Sequence, residues 1–358
     1  MSVNLFPTAS QEIRLNVLKW YDDYQRTLPW RARKGQIPNP YYVYLSEIML
    51  QQTTVATVRD YFERFIKKWP TLNELANASL DEVLVEWQGL GYYTRARNLH
   101  AAVRKLNELD SIPSDPRVLK QFPGVGEYTS AAVASIAFDY PIVPIDGNIA
   151  RIFARLFALA TTGSFLKKDV FLHTSRMADG TRAGDFAQGL MDLGAMICRP
   201  VNPKCSECPL KTVCQAYLQE KVANFPFPKI KFEKPKRYGC AYILLNQGKI
   251  LLERRPSKGL LGGMMGVPTT AWENEISDEN KIFKFEDTLD WCQLTESVRH
   301  TFTHFHLYLT IKIAFTDKFF EGEWFHLDNL QDVALPTLMK KVIKKIPKEI
   351  LGKFQKEI

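Results

Sequence analysis

Four cysteines, Cys198, Cys205, Cys208 and Cys214, fall within 17 residues in the spacing C-x6-C-x2-C-x5-C. Thiolates are soft ligands that suit both iron–sulfur clusters and zinc. In a reducing compartment such a group reads as a metal site before it reads as disulfides. The spacing differs from the ferredoxin runs and from ribbons built on two C-x2-C pairs, so ligand type alone leaves both metals open. A second chemistry rests on two carboxylates. Glu47 lies among Leu45, Ile48, Met49 and Leu50; burial there would raise its pKa and keep a proton available near neutral pH, as a general acid requires. Asp146 stands where a helix N-cap belongs, and a helix N-terminus favours the charged form of a carboxylate. A third feature is Pro123-Gly124-Val125-Gly126 between two short helical stretches. Glycines let the backbone approach a charged group, and amides at the next helix N-terminus can hold a phosphate oxygen. The isolated Cys240 and Cys292 are expected in the core.

The elements that must position these residues are helical from residue 11 to about 220. Ser46–Lys68 keeps a helical apolar period through Ile48, Met49, Val55, Val58, Phe62 and Phe65, which predicts one long helix. Asp81–Trp87 predicts a short helix, broken by Gly89-Leu90-Gly91, and Arg95–Leu109 resumes it. Asp115–Phe122 and Glu127–Phe138 predict the pair around the glycine hairpin, and Asn148–Leu159 follows Asp146. Prolines at 226, 228 and 235 oppose helix and mark an extended linker. Beyond it Gly239–Leu245, Lys249–Glu253 and Leu307–Phe315 read as strands, and Thr337–Lys345 as a closing amphipathic helix. The expected organisation is a helical domain over 8–224 with its cysteine loop at 198–214, a basic linker over 225–237, and an α+β domain over 238–348.

With 358 residues, 46% of them hydrophobic, the chain is long enough for two domains with real cores. Its net charge of +8 suits a polyanionic partner. No apolar stretch is long enough to span a bilayer, and Met1–Ser10 lacks the basic-then-apolar pattern of a secretory signal. A soluble, cytoplasmic protein without membrane contact, most simply a monomer, is expected.

Several segments in order carry a resemblance. They are Leu28-Pro29-Trp30-Arg31, Leu45–Thr53, Gly89-Leu90-Gly91-Tyr92-Tyr93, the glycine hairpin, Asp146-Gly147-Asn148, and Met191-Asp192-Leu193-Gly194-Ala195 before the cysteines. Together they resemble the helix-hairpin-helix DNA glycosylases with an iron–sulfur cluster, and within them the adenine DNA glycosylases. The resemblance implies one [4Fe-4S] cluster on the four cysteines and an all-α glycosylase domain. It also implies duplex DNA containing adenine opposite 8-oxoguanine or guanine as partner. Cleaving a purine N-glycosidic bond needs an acid on the leaving base and a negative charge facing a cationic sugar, the division of labour of paired carboxylates in glycosidases. The resemblance gives the first role to Glu47 and the second to Asp146, with Tyr128 and Asn148 positioning the latter and the sugar. Relatives that also cleave the strand carry a lysine where this chain has Tyr128, and many adenine-specific ones have a lysine where this chain has Ala150. Base removal without an efficient lyase step is therefore expected. A stacked base is inaccessible, so the adenine must be flipped out; Gln52 and Tyr92, with Thr53 and Leu90, would probe the opposite strand. Gln188 would face the adenine, Arg31 would help shape the pocket, and Gly124 and Gly126 would hold a phosphate.

Residues 238–348 resemble the Nudix-like domain with which that family recognises 8-oxoguanine, through Lys249–Arg255 and Leu260–Pro268. The Arg-Glu-x-x-Glu-Glu helix of an active Nudix hydrolase does not follow Pro268. Phe302, Thr303 and His304 resemble the lesion-reading loop, with Thr where many relatives have Ser. Two rival readings remain. One is a bifunctional glycosylase of the endonuclease III type, disfavoured by Tyr128 and the second domain. The other is a non-catalytic iron–sulfur protein that binds DNA.

Overall fold

The structure, a computed structural model, describes residues 6–33, 35–178, 181–227, 233–275, 289–347 and 350. The chain forms two compact units, Met1–Asn77 with Asn98–Lys231, and Ala78–Arg97 with Phe232–Ile358. Residues 78–97 thus pack with the C-terminal part, although in sequence they interrupt the helical region.

Helices appear in the order α1 (Phe6–Tyr24), α2 (Pro40–Leu50), α3 (Val55–Lys68), α4 (Leu72–Asn77), α5 (Leu80–Glu86), α6 (Thr94–Leu106), α7 (Pro116–Leu119) and α8 (Glu127–Phe138). After these come α9 (Gly147–Leu156), α10 (Gly163–Ser175), α11 (Ala183–Met196) and α12 (Gln215–Leu218). The single helix expected over Ser46–Lys68 is in fact two. The apolar period runs on because α2 is buried on nearly all sides and α3 buries the stripe of Val58, Phe62 and Phe65, but Gln52 is left-handed at φ 59° and Thr54 caps α3 by accepting from Thr57 N. A Gln-Gln-Thr-Thr run supplies both the break and the new cap. The helix expected over Asp115–Phe122 contracts to one turn capped by Asp115. α11 is the hub of this unit, packing on α1, α8 and α9.

In the other unit β1 (Lys236–Asn246) is central, antiparallel to β2 (Lys249–Arg254) and parallel to the later strand His306–Phe315. Between them lie β3 (Met265–Gly266), β4 (Cys292–Gln293) and β5 (Val298–Thr301). His306–Phe315 is thus β6, and β7 (Glu323–His326) pairs with β2. The helix α13 (Thr337–Ile343) places Leu338, Met339 and Val342 on the sheet core of Ile243, Leu245, Ile250 and Leu309. Cys240 is buried as expected, but Cys292 is exposed. It lies on a two-residue strand that, among the described residues, ends the sheet beside β6, and its side chain meets solvent. Of the expected linker, residues 228–232 lie outside the described residues, and Lys236 and Arg237 already belong to β1.

Candidate active site and cysteine pocket

Glu47, Tyr128, Asp146, Asn148, Arg31, Thr53 and Gln188 line one pocket of about 730 Å³. They arrive from α2, the start of α8, the start of α9, the loop before α2, the turn after it, and α11. Glu47 is 4% exposed and its Oε2 has no hydrogen-bond partner. Burial pushes its pKa from 4.5 up to about 7; a hydrogen bond from Tyr128 and the charge of Arg31 work against that, and nearby Asp146 adds to it. A carboxyl near 7 is half protonated at neutral pH, the condition for general acid work. Asp146 caps α9, its Oδ1 accepting from Ile149 N at 2.7 Å and its Oδ2 from Asn148 Nδ2 at 3.0 Å. Burial raises its pKa above the ordinary carboxylate value; those hydrogen bonds and the charge of Arg151 oppose the rise. Burial also lifts the Tyr128 phenol well above its usual range, so it stays a neutral donor.

The glycine hairpin stands beside this pocket in the fold. Gly124 has φ +77°, and a Cβ there would lie 2.8 Å from Asn98 Cβ, so only glycine fits both the turn and the contact. Gln51 Nε2 donates to Thr129 Oγ1 at 3.0 Å, tying α2 to α8. Gly126 precedes α8 and no side chain caps that helix, which leaves its first amides for an outside acceptor such as phosphate.

Cys198, Cys205, Cys208 and Cys214 line a second pocket of about 420 Å³, walled by Ile152, Leu156, Leu193, Ile197 and Leu210. All four are free thiols. Burial pushes Cys208 up to about 12 and also raises Cys205 and Cys214. Four unpaired thiols around one apolar space fit a soft, multi-iron group that would draw them into the thiolate form. Among the described residues no group of three or more His, Cys, Asp or Glu side chains is placed to hold a single metal ion. α9 joins the two pockets. Arg151 Nη2 donates to Asn148 Oδ1 and to Gly194 O, both at 2.8 Å, and its Nε to Cys198 O at 2.8 Å. One turn on, Arg155 Nη1 lies 3.4 Å from Cys198 Sγ and donates to Arg199 O at 2.7 Å.

In the other unit Tyr92 is 46% exposed, not the core aromatic that a plain turn would give, while Leu90 is buried. The Tyr92 hydroxyl hydrogen-bonds Thr303 Oγ1 at 3.0 Å. Phe302 stacks on Trp272, and Thr303 and His304 are exposed beside it. Gln52 and Thr53 belong to the catalytic unit and Tyr92 to this one.

Comparison with known proteins accords with both halves. Residues 45–169 match a helix-hairpin-helix superfamily of base excision DNA repair proteins, and residues 240–345 match the NUDIX domain. A thermostable thymine-DNA glycosylase of known structure superposes with a TM-score of 0.52 at 27% identity, over 59% of this chain and 98% of that one. The adenine DNA glycosylase of Rattus norvegicus is 33% identical over 92% of this chain and 77% of its own length. That of Buchnera aphidicola (subsp. Baizongia pistaciae) is 33% identical over 93% and 96%. The chain belongs to the adenine DNA glycosylase family. It is an enzyme of base-excision repair that binds DNA, with a helical helix-hairpin-helix domain followed by a Nudix-like one.

Behind Arg31 and Arg26, which line that pocket, stands a residue to which sequence reading assigned no role. Asp192 is fully buried. Its Oδ2 and Oδ1 accept from Arg31 Nη1 and Nη2 at 2.6 and 2.8 Å, and Arg26 Nε donates to Oδ1 at 2.6 Å. Burial alone would raise its pKa, but the hydrogen bonds and charges of Arg31 and Arg26 outweigh it and hold the carboxyl below the ordinary value. Asp192 therefore fixes the guanidinium that faces Glu47. The signal lay in its position four residues after Gln188, on the same face of α11. Gly194, two residues on, lets α11 approach Asn148, whose Cβ would lie 2.7 Å from an added methyl.

Proposed function

We propose that this enzyme flips out and hydrolytically removes adenine mispaired with 8-oxoguanine or guanine, without an efficient strand-cleaving step. The observation that carries the catalytic reading is a protonatable Glu47, held near 7 by burial, in one pocket with Asp146. Glu47 donates its proton to the purine as the glycosidic bond breaks. The Asp146 carboxylate, held by Ile149 N and Asn148, faces the developing sugar cation. A water completes the hydrolysis at the sugar. Tyr128 stands where a bifunctional enzyme would need an amine, and a phenol kept neutral by burial cannot form a Schiff base. Gln188 and Arg31 line the pocket where the base enters. Gly124 and Gly126 offer backbone to a phosphate; Gln52, Thr53 and Tyr92 engage the opposite strand, whereas Leu90, expected beside them, is buried and does not reach it. Phe302, Thr303 and His304 read the oxidised guanine, supported by the family resemblance of that loop and by the hydrogen bond between Thr303 and Tyr92.

Cys198, Cys205, Cys208 and Cys214 would hold one [4Fe-4S] cluster, whose chemistry here is to order the loop. The exposed Lys204 and Lys211 on that loop can then meet phosphates. The deciding experiment is single-turnover release of adenine from a duplex with one adenine opposite 8-oxoguanine, beside an A:T control. Fast release from the first and little from the second is the expected result. No release from protein with its iron in place would return the lead to DNA binding without catalysis. Stoichiometric borohydride trapping of a protein–DNA adduct would overturn the monofunctional assignment.

A further inference from the structure

The segment Ala78–Arg97 leaves the helical region to join the C-terminal unit, and three separate contacts hold it there. Gln88 Nε2 donates to Val333 O at 2.7 Å. Asp81 forms a two-pronged ion pair with Arg254 at 2.8 and 3.1 Å. Arg97 donates to Gly262 O, and Arg254 to Gly263 O of the same turn. Between these anchors stands Tyr92, a non-glycine residue at φ 49°. That backbone is disfavoured for a side-chain-bearing residue and persists only where its surroundings impose it. Arg95 donates to Leu90 O and Gly91 O and lies over the Tyr92 ring. The turn is thus braced on both sides, and its exposed phenol meets the Thr303 hydroxyl.

We propose that Gln88, with Asp81 and Arg97, is a positioning residue for recognition of the base opposite the adenine. It locks the Tyr92 turn onto the Nudix-like domain so that Tyr92 and Thr303 present one hydrogen-bonded reading pair. The inference rests on the lesion-reading role given to Thr303 above. Gln88 touches no DNA in this scheme; it acts through the Val333 carbonyl. Removing one such hydrogen bond weakens the docking by an amount that lowers a population of aligned pairs about five- to tenfold. The loss falls on selection of the opposite base and leaves the acid and the carboxylate of the catalytic pocket in place.

The test is the ratio of kcat/KM for adenine opposite 8-oxoguanine to that opposite guanine, measured on the full-length protein with its iron content checked. Gln88→Ala and the isosteric Gln88→Glu, which cannot donate to a carbonyl, should both lower the ratio about five- to tenfold. The rise should lie in KM for the 8-oxoguanine duplex, with turnover on the guanine duplex unchanged. Asp81→Asn, at an exposed site that threatens folding least, should lower the ratio about two- to threefold at low salt and not at high salt. A purely space-filling role for Gln88 predicts that Gln88→Glu behaves as wild type, which overturns the inference. So does an unchanged ratio in Asp81→Asn at low salt. A wild-type protein that does not discriminate between the two duplexes overturns the reading of Thr303 itself. Discrimination that survives all three substitutions overturns only the positioning role.

Discussion

The Glu47 pocket and the Thr303 loop place polar groups under opposite conditions. Glu47 is 4% exposed and Tyr92 46%. Inside the helical unit, the surroundings dictate the chemistry: desolvation holds Glu47 near 7, and Arg31 and Arg26 hold the buried Asp192 as a carboxylate. At the Thr303 loop the Tyr92 phenol and the Thr303 hydroxyl are exposed and meet each other at 3.0 Å, and it is their placement that is controlled. A buried site therefore tunes energies, whereas an exposed one tunes positions. Changes in the first should alter rate and stability, and changes in the second should alter choice of partner.

The largest expected effect is on rate. Glu47→Gln keeps shape but cannot supply the proton, so single-turnover base release should fall about 10²- to 10⁴-fold. Duplex binding measured by anisotropy should persist. A variant that still releases adenine at the wild-type rate would remove Glu47 from catalysis.

Next comes the cost of an unpaired buried charge. Asp192→Ala leaves Arg31 without its two-pronged partner and should destabilise the fold by about 3–5 kcal/mol in denaturant titration. A loss below about 1 kcal/mol would mean that the pocket admits water and the contrast with the exposed loop is overdrawn.

The same logic gives a pH dependence. The folded state favours protonated Glu47, so the stability it contributes is complete below about 4.5 and is lost as pH rises through about 7. Glu47→Gln should therefore be more stable than wild type at pH 8, by up to roughly 3 kcal/mol, and nearly equal to it at pH 4. In the wild type, base release should decline above about pH 7 as the acid form disappears. Identical pH profiles of stability in the two proteins would place the carboxyl in water.

The smallest effect belongs to the sheet edge. Cys292→Ser replaces an exposed side chain on β4, and a shift in stability within about 0.5 kcal/mol is expected by thermal unfolding.

How much was legible follows the same division. Glu47, set among apolar neighbours, could be read as a buried acid, and Asp146 as a cap, because each is a local pattern. The two-helix pair around Gly124 was legible for the same reason, since a left-handed turn leaves little choice of residue. The break after Leu50 is not legible because a helix buried on nearly all sides supplies apolar residues at any period, so the stripe of α3 reads as its continuation. Cys292 was misplaced because a two-residue strand has no period. Asp192 acquired a role only once α11 and the loop carrying Arg31 were side by side.

The sequence by itself determined the kinds of chemistry available: the soft ligands, the acid, the caps and the strand and helix periods. These depend on residue type and on neighbours within a turn or two. The tertiary structure alone decided which of them meet. It brought Glu47 and Asp146, 99 residues apart in number, to one pocket, paired Arg31 with Asp192, and carried residues 78–97 to the C-terminal unit. The physical reason is that a pKa near 7 and a shared hydrogen bond are properties of surroundings, and those surroundings are assembled from distant segments only when the core closes.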